Sequence, residues 1–159
     1  MNVEIGLPGQ SREAIGRILN ALLADEHVLY VKTRNYHWNV VGPQFRTLHL
    51  LFEEQYQKLA LASDEIAERA RALGVIAAGS MESFLDQARL HEDAGAPPEA
   101  HAMVANLMHD HEAVIQQLRK DVETCNEQHD DQGTTDFLTG LMEMHEKQSW
   151  MLRAQAEQR

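Results

Sequence analysis

The chain has 159 residues, 43% of them apolar and 25% charged, with a formal charge of −11 at pH 7; this composition describes one globular domain with a core of its own, and excludes a disordered chain. Lys and Arg number 14 against 25 Asp and Glu, a balance that disfavours a protein gripping nucleic acid by its phosphates. No stretch approaches the roughly 18 apolar residues of a membrane span, and the single Cys125 excludes an internal disulfide and fits a reducing compartment.

Residues 1–10 read as a short N-terminal tail with neither a basic region nor an apolar run, so no signal peptide is expected and the chain is placed in the cytoplasm. The first helix is expected from about Ser11, its N-cap, to about Asn39, with Ile15, Ile18, Leu19, Leu22, Leu29 and Tyr36 on one stripe. Gly16 inside it is tolerated at a cost. Gly42-Pro43 breaks the chain, and Pro43 suits the first turn of a second helix running from about Gln44 to Leu73. That helix buries Phe45, Leu48, Phe52, Leu59 and Ile66, and Gly74 is its C′ residue.

Val75 to Pro98 is a long connection, the crossover needed when the second and third long helices run parallel. Ser80 to about Arg89 forms a short helix within it, capped by Ser80, with Met81, Phe84 and Leu85 facing inward. The third long helix is expected from about Glu99 to Cys125, carrying Val104, Leu107, Val114, Leu118 and Val122. Thr134 or Thr135 caps the fourth, which carries Phe137, Leu138, Leu141, His145, Gln148 and Leu152. The fold class is all-α: four long helices and a short one.

The chemistry concentrates between Tyr36 and Gly74. His49 and Glu53 are four residues apart and share a helix face; Asp64 and Glu68 share another in the same way. Asp64 stands fifteen residues beyond His49, about 22 Å of helix, so one straight helix cannot bring both pairs to one ion. Two copies packed antiparallel across a two-fold axis can, which makes two equivalent sites per dimer. With His37, these imidazoles and carboxylates suit iron as Fe(II), or zinc or manganese.

The string Asn35-Tyr36-His37-Trp38-Asn39-Val40, with Leu48-His49-Leu50-Leu51-Phe52-Glu53-Glu54 and Asp64-Glu65-Ile66-Ala67-Glu68-Arg69, resembles the Dps family of mini-ferritins. The likeness covers most of the chain and extends, with less specificity, through Trp150-Met151-Leu152-Arg153. It implies a single ferritin-like four-helix bundle over residues 1–159, with a small helix in the crossover near a two-fold interface, and a dodecameric homo-oligomer. It also implies a ferroxidase that uses hydrogen peroxide, with ferric mineral stored in an acidic hollow and oxidative damage avoided. By position the implied ligands are His37, His49 and Glu53 of one chain, with Asp64 and Glu68 of its partner. Trp38 is a secondary candidate that supplies or accepts an electron. Many members have Asp where this chain has Glu53; the longer arm keeps the charge and moves the oxygen. Asp130, Asp131 and Asp136 fall where the family lines an iron-entry pore, and they also suit pairing with a helix N-terminus.

The remaining histidines carry less. His91, His101 and His129 read as surface residues, His109 and His111 point to different faces, His145 is a core histidine with a hydrogen-bond partner, and His27 stands alone. None has Glu or Asp three residues before it, so the Glu-x-x-His parts of an intrasubunit di-iron centre are missing. Two rival classes are a DNA-organising structural protein associated with the nucleoid and a shell with inactive sites. Residues Met1 to Ser11 hold Glu4 and no Lys or Arg, and Arg153 and Arg159 flank Glu157. DNA-binding members carry basic extensions, so this pattern speaks against DNA compaction and leaves weak or Mg-bridged binding as the residual route.

Overall fold

The computed structural model describes residues 3–156, so Met1, Glu157 and Arg159 of the terminal readings lie outside the described residues. The elements in chain order are α1 (Gly9–Asn39), α2 (Phe45–Ala72), α3 (Met81–Gln87), α4 (Ala100–Glu127) and α5 (Gln132–Ala156), with no strand among the described residues. α1 reaches back to Gly9: Pro8 stands at the N-cap, where its fixed φ suits the helix entry, and its carbonyl accepts the Arg12 N–H at 3.0 Å. Ser11 therefore does not cap; its hydroxyl meets Nδ1 of a half-buried His129 at 3.3 Å.

α1 and α2 form an antiparallel hairpin, since Arg12 reaches the Leu73 carbonyl at one end and His37 reaches the His49 carbonyl at the other. Tyr36 meets Asn106, and Lys32 meets Asp110, which sets α4 antiparallel to α1 and hence parallel to α2. The crossover is thus required by topology. α2 stops where expected. Gly74 has φ +80, its N–H bonds the Arg71 carbonyl, and the Val75 N–H bonds the Ala70 carbonyl, the paired closure of a Schellman motif.

Val75 then turns onto α1 over Gly16. A Cβ at Gly16 would lie 2.6 Å from both γ-carbons of Val75, so this glycine is a contact point between the crossover and the first helix. Gly16→Ala is expected to destabilise the fold by about 1–3 kcal/mol through overpacking, read as a lowered midpoint in urea. Adding Val75→Ala should return most of that loss.

α3 is capped by Ser80 with Ser83 in a reciprocal box, but only Phe84 turns inward. Met81 and Leu85 are exposed at 63% and 55%, because a helix this short, laid on α1 by one aromatic anchor, leaves its other face open. Phe45 is exposed too, leaning against the His49 ring rather than entering the core. The start of α5 also differs from expectation. Asp131 does the capping, with Oδ1 accepting the Thr134 N–H at 3.1 Å, and both threonines are buried within the first turn.

The apolar core divides into two clusters. One joins Ile15, Leu19, Leu22, Ile66, Leu118 and Leu138; the other joins Leu29, Tyr36, Phe52, Leu59, Leu107 and Leu152. Near mid-bundle, Glu26 of α1, His111 of α4 and His145 of α5 are fully buried, and Gln55 of α2 and Gln148 of α5 are buried nearby. The crossover is held by polar contacts: Asp25 accepts from the backbone of Arg89 and Leu90 and pairs with the Arg89 guanidinium at 2.6 Å, while Tyr36 donates to Asp93. Burial, and then the hydrogen bond to Asp93, push the Tyr36 phenol far above its usual range, so that hydroxyl stays a donor.

Candidate metal site

The turn between α1 and α2 builds the central feature. Gly42 takes φ +107, a conformation that favours glycine, and the reversal lays His37 across from His49. Pro43 lies in this turn, just ahead of the Gln44 N-cap, rather than in the first helical turn. His37 Nδ1 lies 2.8 Å from the His49 carbonyl, and His49 Nδ1 lies 2.8 Å from the His37 carbonyl. Carbonyls only accept, so both rings carry a proton on Nδ1, and the tautomer this selects for a neutral ring leaves Nε2 bare. The rings stack with centroids 3.8 Å apart and a 19° interplanar angle. Orientation of an imidazole through its other nitrogen is the usual preparation of a metal ligand.

Glu53 lies one turn beyond His49 and is half-buried, while Asp64 and Glu68 are exposed farther along α2. None of these three carboxylates has a hydrogen-bond or ion-pair partner among the described residues. Nor does one chain complete a site: among the described residues no group of three or more His, Cys, Asp or Glu is arranged to hold a metal ion. The fold brings His37 and His49 together and leaves Asp64 and Glu68 apart from them.

Aromatic neighbours frame the pair. Tyr56 stands edge-on to His37 at 5.2 Å and Phe45 tilts against His49 at 5.1 Å. Trp38 is exposed, and the Arg34 guanidinium lies 4.7 Å over its ring and 5.5 Å over that of Tyr56. Tyr56 went unnoticed in the sequence, although it follows Glu53 by three residues and so shares its side of α2.

His145 is the hydrogen-bonded core histidine expected, in a chain of groups that spacing did not reveal. Its Nε2 lies 2.6 Å from Glu26 Oε1, and its Nδ1 lies 2.8 Å from His111 Nδ1. Glu26 Oε2 and His111 Nε2 are buried without hydrogen-bond partners among the described residues. Burial and the neighbouring His145 hold His111 well below the usual imidazole range, so it is neutral. The visible signal was an acid at Glu26 inside the Leu22–Leu29 stripe.

The acidic cluster at the start of α5 separates by role. Burial alone would raise the Asp131 carboxyl, but bonds from the Thr134 hydroxyl and N–H, and then the Arg69 guanidinium, outweigh it and hold the group below the usual range. Asp131 is therefore occupied as cap and ion-pair partner, whereas Asp130 and Asp136 are exposed. Cys125 is buried, and burial pushes its thiol up to about 11, so it stays protonated. No helix among the described residues is long and apolar enough to cross a membrane.

Comparison with known proteins gives consistent findings. A profile of the ferritin-like domain matches residues 17–159. A low temperature-induced protein of Nostoc sp. (strain PCC 7120) is 54% identical over 96% of this chain and 85% of its own length. DNA protection during starvation protein 2 of Bacillus anthracis is 42% identical over 86% of this chain and 92% of its own. The crystal structure of a Dps protein from Vibrio cholerae O1, described as a member of a broad superfamily of ferritin-like diiron-carboxylate proteins, superposes with a TM-score of 0.92 at 32% identity. That match covers 99% of this chain and 98% of the other.

Proposed function

Because the chain belongs to the ferritin-like family, in its Dps branch, we propose that it is an iron-storing and iron-detoxifying mini-ferritin whose ferroxidase sites straddle two subunits of a dodecameric shell. The observation that carries this reading is the crossed pair His37 and His49, each with Nε2 bare and its ring fixed. Asp64 and Glu68, unpartnered on the same helix and too far to join them, supply the carboxylates for a second chain's imidazoles. Glu53, half-buried one turn from His49, adds its charge on the imidazole side.

Iron is the substrate. Two Fe(II) and hydrogen peroxide give two Fe(III) and two water molecules, with two protons consumed. The residues of the chain bind and orient Fe(II), and their carboxylates neutralise the charge that grows as iron is oxidised. Trp38 next to His37 stands as a secondary one-electron donor or acceptor. Ferric product hydrolyses and is stored as oxyhydroxide in an acidic interior, and consuming peroxide in pairs of electrons avoids free hydroxyl radical. Zinc and manganese suit the same ligand types and are expected to compete with iron. The excess of acid over base speaks against the DNA-organising alternative.

The test is anaerobic Fe(II) oxidation after addition of hydrogen peroxide, on protein whose mass has been measured by light scattering. Rapid oxidation by an assembly many times the 18.0 kDa chain is the expected result. A monomer that oxidises iron at full rate would overturn the straddling site.

A further inference from the structure

A cluster of aromatic rings stands beside the imidazole pair, and one cation lies over all of it. Tyr30, Arg34 and Trp38 follow one another at four-residue steps along a single face of α1. The Arg34 guanidinium carbon is 4.7 Å from the ring centre of Trp38, 5.4 Å from that of Tyr30 and 5.5 Å from that of Tyr56. Its Nη1 donates to the Tyr30 hydroxyl at 2.7 Å. Among the described residues no carboxylate pairs with Arg34, and its buried Nε has no hydrogen-bond partner. The charge is therefore left to act on the rings.

These rings can be oxidised, and they adjoin the candidate ligands. Tyr56 meets His37 edge-on at 5.2 Å, Tyr30 meets Tyr56 edge-on at 6.1 Å, and Trp38 follows His37 in the chain. Where a single Fe(II) is bound, peroxide finds one electron there and needs a second. A ring can give it: Fe(II), hydrogen peroxide, one proton and a neutral indole yield Fe(III), two water molecules and an indolyl radical, the indole N–H supplying the other proton. That reaction oxidises protein in place of a second iron. A cation over a ring face opposes it, because the attraction between them turns to repulsion once the ring has lost an electron.

We propose that Arg34 decides which electrons peroxide takes: by holding them on Trp38, Tyr56 and Tyr30, it directs the oxidising equivalents to iron. Arg34 is a positioning residue that acts through the rings, and it is assigned no contact with iron. This rests on the ferroxidase reading and adds to it a residue outside the ligand set. Trp38 then gives an electron only when iron does not, which fits its secondary place.

The experiment compares the assembled protein with Arg34→Gln and Arg34→Lys by two routes, with assembly checked by light scattering. In one, a ruthenium(III) polypyridyl complex, generated by light and persulfate, removes electrons without iron. In the other, hydrogen peroxide is added to protein holding about one Fe(II) per site. Both are run in air, so that an indolyl radical is trapped as an oxygenated product and read by peptide mass spectrometry. Trp150 is the internal reference: it is exposed at 59% against 63% for Trp38, with no cation over its ring among the described residues. Arg34→Gln should raise the ratio of oxidised Trp38 to oxidised Trp150 about tenfold by both routes, and Arg34→Lys should return most of that rise. An unchanged ratio in Arg34→Gln by the light route would overturn the proposal. So would a rise in Arg34→Lys as large as in Arg34→Gln, since that would assign the effect to packing and not to charge. An unaltered protein that does not oxidise Fe(II) with peroxide removes the ferroxidase reading and this proposal with it, and the light-driven ratio tells the two failures apart.

Discussion

Glu68→Gln should lower the rate of peroxide-driven Fe(II) oxidation about 100-fold or more while leaving the assembly intact, because a ligand carboxylate contributes several kcal/mol of charge stabilisation. Glu68 is exposed and unpartnered in the single chain, so loss of its charge removes no contact of the fold. Complementation then tests whether the site is divided. One chain carries His37→Ala and His49→Ala, and the other carries Asp64→Asn and Glu68→Gln. Each alone is expected to be inactive. Assembled together at random, half of the two-fold pairs are mixed and each mixed pair has one complete site, so about one quarter of the activity should return. No recovery in well-formed mixed shells would show that the ligands act within one chain.

Glu26→Ala is expected to destabilise the fold by about 3–5 kcal/mol, the usual loss when one partner of a buried pair is removed. Glu26 and His145 are both fully buried at 2.6 Å, and the variant leaves a donor without an acceptor in the middle of the bundle. Glu26→Gln, which keeps an acceptor oxygen, should lose much less. The same group of residues gives stability a pH slope. His111 is held neutral, below its unfolded range, so below about pH 6.5 the unfolded chain binds a proton that the folded chain refuses. Stability should fall as pH drops from there, by at most about 1.4 kcal/mol per pH unit for this one group. Urea midpoints of the unaltered protein and His111→Gln across pH 5–7 measure it, and the variant should show the smaller slope.

Helix positions were legible because the apolar residues recur at three and four along each long segment, and Ile15, Leu19, Leu22 and Leu29 are indeed fully buried. Gly74 was equally readable, since a C′ residue at positive φ leaves a local mark. Phe45, Met81 and Leu85 were misjudged for one reason: hydrophobicity was taken as burial, while a helix end and a seven-residue helix have more face than one chain covers. The cap of α5 was misplaced because Asp131, Thr134 and Thr135 all carry capping side chains, and choosing among them depended on Arg69, far away in sequence.

Of the candidate site, the four-residue spacings divided the candidate ligands on α2 into two groups. The crossed backbone bonds of His37 and His49 could not be read beforehand, because they depend on how tightly the turn at Gly42 closes. Glu26 was missed on different grounds. A buried acid has the same letter as a solvated one, and only its partners distinguish them.

The crossover has a consequence for the order of folding. α1 with α2, and α4 with α5, are hairpins of neighbours in sequence, joined by a strap fastened at Asp25 and Tyr36. Contacts within each hairpin close short loops and form early, whereas contacts between hairpins wait for the strap. Glu26 belongs to the first hairpin, and His111 and His145 to the second. Their bonds form only when the halves dock, so the mid-bundle polar groups act as a checkpoint for correct docking: two hairpins slid by a turn could still bury oil against oil, but would strand a carboxylate.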